Sequence, residues 1–185
     1  MNNKQECILS LKQLKLDNII KQKKGIHFII ASVPFWIYVC FIQMLNISVL
    51  GKNLYTFLGS PILVLLAYFI SRLIRIDFKN KENPLSILGL IFTLNQILYI
   101  FIVMWVYSAV PEKMLMVYAM IFGAHLLPYG WLYESKIYYI FSIFITISVL
   151  LLGLKFEALY IAIFMVLAEF IFSICVTAEN SKIKI

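Results

Sequence analysis

Charge is what this chain has least of. Only 14% of its 185 residues are Asp, Glu, Lys or Arg, and only 9 are acidic; soluble domains carry about 25% charged residues. A water-facing surface cannot be built from so few charges, so a soluble globular protein is excluded. Cysteine is scarce as well. Cys7, Cys40 and Cys175 are odd in number and widely separated, which gives no disulfide framework and no metal-ligand spacing. Neither a metal nor a cofactor is expected. His-Glu-x-x-His and Gly-x-Ser-x-Gly are both missing, and the two aspartates, Asp17 and Asp77, lie outside the apolar runs. An enzyme is therefore the least favoured reading, because one glutamate and one histidine in apolar surroundings specify no substrate.

What is present is apolar: 63% of the residues are hydrophobic. From Gly25 to Leu50 no Asp, Glu, Lys or Arg occurs, and about 20 such residues span a hydrocarbon core of about 30 Å. The runs between charged breaks predict six transmembrane helices, over 26–49, 54–74, 85–110, 114–133, 137–154 and 158–178. Asn83-Pro84 supplies a cap and a first-turn proline for the third, Pro111-Glu112-Lys113 ends it, and Ser135 is placed to cap the fifth. The expected fold is an all-α polytopic membrane bundle. A basic segment over 1–24 precedes the bundle, residues 25–178 form it, and 179–185 are a short tail. The first 24 residues are polar, so no cleaved signal peptide is expected. They read as a basic tail in part ordered, because Lys12 and Lys15 interrupt the apolar face of a helix there.

Six spans put Lys52, Lys113 and Lys155 on one side and every other Lys and Arg on the other. Positive residues accumulate in the cytoplasm, so both termini are expected there. The net charge of +7 is explained by this topology and by attraction to anionic lipid headgroups. No nucleic-acid partner is needed.

Polar residues within the spans are costly and narrow the search for function. At 1.5 Å per residue, His125, Glu169, Asn95 and Gln96 all fall about 15–17 Å into their helices, near the bilayer centre. Glu169 shares a helix face with Ala162 and Ser173, and Ser32, Trp36, Cys40 and Gln43 form a polar stripe on the first span. Trp36 lies about ten residues deep, where its indole N–H needs a partner. Glu169, His125, Gln96, Asn95, Trp36 and Tyr99 are therefore the candidate ligand- or proton-binding residues. In GAHLLPYGWLY, from Gly123 to Tyr133, Pro128 must leave a carbonyl near His125 without its helical hydrogen bond. Tyr129, Trp131 and Tyr133 are expected to anchor that span end at the membrane interface.

Through GAHLLPYGWLYESK and RLIRIDFKNKENPLSILG the chain resembles a family of small bacterial multi-span membrane proteins of unknown function. The resemblance carries a Gly-x-His-x-Leu-Pro-Tyr-x-Trp string and implies a bacterial cytoplasmic membrane. Length and span count are also similar to the substrate-binding subunits of energy-coupling-factor transporters, although the Ala-x-x-x-Ala pattern of their first helix is absent here. The expected function is a small-solute transporter or membrane solute-binding subunit, with lipid around it and a small solute or cation as ligand. The alternative is a non-catalytic accessory subunit or sensor with a membrane-protein partner.

Overall fold

A computed structural model describes residues 3–78 and 80–183, with side chains from Ser10 onward. Of the basic residues assigned above, Lys79 and Lys184 lie outside this range, and Lys4, like Cys7, lies where side chains are not described. Among the described residues all regular structure is helical: α1 (Asn3–Gln22), α2 (Ile26–Met44), α3 (Val49–Leu73), α4 (Pro84–Ala109), α5 (Met114–Ala124), α6 (Leu127–Leu132), α7 (Lys136–Lys155) and α8 (Ala158–Asn180). Six helical stretches are long and apolar enough to cross a membrane, α5 and α6 together making one of them.

Two of the expected boundaries shift. The first span ends at Met44 and the second starts at Val49, because the Ser48 hydroxyl accepts the Gly51 N–H and caps α3 inside what reads as continuous apolar sequence. The fourth span is broken after Ala124, with Pro128 in the first turn of α6. The caps divide likewise. Asn83 accepts the Leu85 N–H as expected, whereas the Ser135 hydroxyl makes no cap bond and donates to the Glu179 carboxylate instead.

The helices pack in the order α3, α2, α8, α7, α5, α4, with α2 held between α3 and α8 and α5 against both α7 and α4. Lipid tails are as apolar as leucine, so contacts in such a bundle rest on close packing. Small residues provide it: Ala31, Ala67, Ala119 and Ala162 are fully buried. The centre is filled by Trp36, Phe35, Met165, Phe172 and Ile145. Trp36 meets Phe122 edge-on at 5.4 Å and Tyr118 at 6.0 Å.

The N-terminal segment differs most from expectation. It is a docked helix, held by Ile19 and Leu14 packing on the core and by a network of amide side chains. Asn83 donates to the Leu14 carbonyl and to Asp17, Asn80 donates to Asp17 and Asn18, and Ser86 donates to Asn18. A corner of three left-handed residues, Lys23 (φ 46°), Lys24 (φ 52°) and Gly25 (φ 68°), turns α1 into α2. Such angles are unfavourable for lysine, and the surrounding helices hold them in place. Lys24 pairs with Glu179 at 3.2 Å, its carbonyl accepts from Tyr138, and the Lys23 carbonyl accepts from Asn180.

Candidate functional site

Glu169 lies in α8 where that helix meets α2, and it is only 1% exposed. Its Oε2 is 2.6 Å from the Ser32 hydroxyl, which is also 2.7 Å from the Ile29 carbonyl. A hydroxyl carries one proton, so it cannot donate to both. With an ionised carboxylate the Ser32 proton goes to Glu169. With a neutral carboxyl, Glu169 donates to Ser32 and Ser32 donates to Ile29. Both arrangements fit the same heavy-atom positions, so the pair can change protonation without a change of packing.

The other carboxyl oxygen, Glu169 Oε1, has no hydrogen-bond partner, and neither has the buried Trp36 Nε1. Trp36 follows Ser32 by one helical turn, so these two residues share a side of α2, Ser32 meeting Glu169 of α8 and Trp36 meeting Tyr118 and Phe122 of α5. A buried carboxyl oxygen left without a partner in a low-dielectric interior makes Glu169 the candidate to consider.

The other candidates are distributed elsewhere. His125 ends α5, half-buried, with Nδ1 against the Phe122 carbonyl and its ring between Phe122 and Tyr129. Among the described residues no hydrogen bond or ion pair joins it to Glu169. Gln96 is half-buried on the side of α4 that carries Val103 and Thr93, which face the bundle. Asn95 and Tyr99 are exposed on the outer side of α4, joined by a bond from Asn95 Nδ2 to Tyr99 Oη of 2.9 Å. Their similar positions along the helices therefore do not bring them into one cluster. His27 was missed by sequence reasoning. It is 2% exposed, lies between Phe28 and Phe78, and neither ring nitrogen has a partner. Its place at the start of the first span gave no sign of burial.

The residues around the helix break account for the aromatic motif. Pro128 leaves the Ala124 carbonyl without its helical N–H, and the Ser142 hydroxyl of α7 reaches it at 3.4 Å. A Cβ on Gly123 would stand 2.7 Å from the Ile145 side chain, so only glycine lets α5 and α7 approach this closely. Tyr129 donates to the Gly89 carbonyl and meets the Thr93 hydroxyl at 2.7 Å, tying α6 to α4. Trp131 lies 3.7 Å beneath the Lys15 ammonium, and Tyr133 donates to Gln22. The motif thus docks α1 and α4 onto the broken span.

These features define a multi-pass membrane protein with a buried carboxyl between its first and last spans. The chain belongs to a family of unknown function (DUF7010), which it matches over residues 11–179. Comparison with curated proteins and with solved structures finds no match.

Proposed function

We propose that the protein is a small-solute transporter or solute-binding subunit of the bacterial cytoplasmic membrane, with Glu169 as its proton- or cation-exchanging group. The observation that carries this reading is the fully buried carboxyl, one of whose oxygens has no hydrogen-bond partner. A carboxyl serving only to hold two helices together has no need of an unmet acceptor, and ionisable groups at this depth mark pathways and binding sites. The Ser32 hydroxyl follows the proton. When Glu169 loses it, Ser32 turns from Ile29 to the carboxylate, so charge at the site is coupled to the backbone of α2. A solute held there would meet an acceptor, a donor and the aromatic walls of Trp36 and Phe122, a lining suited to a small polar heterocycle or amine.

The charge distribution supports cytoplasmic termini. α1, the α3–α4 connection, the loop before α7 and the end of α8 converge on one end of the bundle through bonds such as Asn80–Asp17, Ser135–Glu179 and Asn180–Lys23. Lys52 and Lys113 donate to carbonyls of Gln43 and Gly153 at the other end.

Infrared difference spectroscopy across pH tests the exchange role. The reading expects a carboxylic-acid band that vanishes in Glu169→Gln and converts to carboxylate within the range where the protein stays folded. A band that never converts in that range marks a fixed structural hydrogen bond and overturns the proposal.

A further inference from the structure

α4 is packed far less than any other span. Only Leu85, Val103 and Val106 are buried, and 6% of its most apolar window is covered, against 22% or more in the other spans. Its outer side presents Ile91, Leu94, Leu98 and Ile102, each at least 50% exposed, around Asn95 and Tyr99. Asn95 lies about 16 Å from the start of the helix, beyond the reach of headgroups and water. One amide N–H bonds to the Tyr99 oxygen. The second N–H and the tyrosine O–H have no acceptor among lipid tails, and the amide oxygen faces lipid with no donor.

We propose that the chain forms a two-fold dimer in the membrane through this face of α4, with Asn95 and Tyr99 hydrogen-bonded across the interface. A second copy is the occupant that the chemistry selects. The carboxamide is self-complementary, carrying donor and acceptor on one planar end, so two facing copies can each donate to the other's Oδ1. Both copies insert with the same topology, so the two-fold axis lies along the membrane normal and Asn95 meets Asn95 at equal depth. The tyrosine hydroxyls one turn away then have the remaining lone pairs of Oδ1 within the same cluster. No charged residue lies on this face to repel a copy of itself, and none is there to select a charged partner.

The test uses the full chain in dilute liposomes, counted by single-molecule photobleaching, as wild type, Asn95→Gln and Asn95→Leu. Dimers are expected for the wild type and Asn95→Gln. In Asn95→Leu the association constant should fall roughly tenfold, the scale of interhelical hydrogen bonds in membranes. Among the described residues the Asn95 side chain bonds only within its own helix, so the leucine variant should keep the wild-type circular dichroism. With the native cysteines replaced by serine, Leu98→Cys should form a disulfide-linked dimer, and Ile143→Cys on the outer side of α7 should not. A monomeric wild type overturns the proposal, as do dimers indifferent to Asn95→Leu or cross-linking at position 143 alone. Stable occupancy of the α4 face by a different polypeptide also overturns it.

Discussion

Ser32 and Glu169 form one hydrogen bond, yet removing either partner should have opposite consequences for stability. In Ser32→Ala the carboxyl keeps its burial and loses its one partner. A buried polar group left without a partner costs about 1–3 kcal/mol, and hydrogen bonds between membrane helices average about 0.6 kcal/mol with a maximum near 1.7. A loss of about 1–2 kcal/mol follows. In Glu169→Met a chain of similar length fills the same space, the same hydrogen bond is lost, and the unmet acceptor Oε1 disappears with it. The Ser32 hydroxyl keeps its acceptor at Ile29. The two effects are of similar size, so Glu169→Met should lie within about 1 kcal/mol of wild type or be more stable. On that background Ser32→Ala should cost less than about 0.5 kcal/mol, which gives a coupling of about 1 kcal/mol. Reversible unfolding in mixed micelles, followed by tryptophan fluorescence, measures all four corners of the cycle. A Glu169→Met variant that loses more than about 2 kcal/mol while Ser32→Ala is neutral would refute the reasoning, because the carboxyl would then be a structural stitch.

Other parts of the structure make independent predictions. Hydrogen bonds from Asn83, then from Lys21, hold the Asp17 carboxyl below the usual carboxylate range. A carboxyl with a lowered folded-state pKa stabilises the fold above its unfolded value and loses that contribution as pH falls through the folded one. The protection of α1 amides, taken relative to their intrinsic exchange rates, should therefore fall as pH drops below about 4, and Asp17→Asn should flatten that response while wild-type protection independent of acid contradicts it. Gly123→Ala should destabilise the α5–α7 contact by about 1–3 kcal/mol through overpacking, with part of the loss recovered by Ile145→Ala; equal unfolding midpoints for the wild type and the single variant contradict the contact. Trp131→Ala should remove a cation–π contact with Lys15 of about 1 kcal/mol, raising protease cleavage within α1. Cysteines at 155 and 75 should label from opposite sides of sealed cells, position 155 from outside, and labelling of position 75 from outside reverses the topology.

Most of the architecture was legible because lipid imposes a simple rule: a run of apolar residues long enough to cross it must be a helix. Six spans follow from that rule, and Pro128 marked where the fourth is disturbed, though not that it breaks into two helices. The start of α3 did not, because Ser48 is a weak cue inside an apolar run. Docking of α1 was hidden for a different reason. Its partners are Asn80, Asn83 and Tyr133, and hydrogen bonds between distant segments leave no periodic trace. Position along the helix could be counted for the candidate residues, and azimuth could not. In water a helix shows its buried face by where polarity stops, but α4 is apolar nearly all round. Nothing in the spacing says that Asn95 points outward while Gln96 lies on the bundle side. The pairing of Glu169 with Ser32 depended on α8 lying beside α2, which no local pattern encodes.

Native mass spectrometry of the gently released protein, wild type beside Glu169→Gln, tests the central claim most directly. The account predicts a small molecule bound to the wild type and absent from the variant, with its mass naming the solute class. A wild type that carries no small molecule, or one that both proteins retain equally, contradicts a binding site built on Glu169.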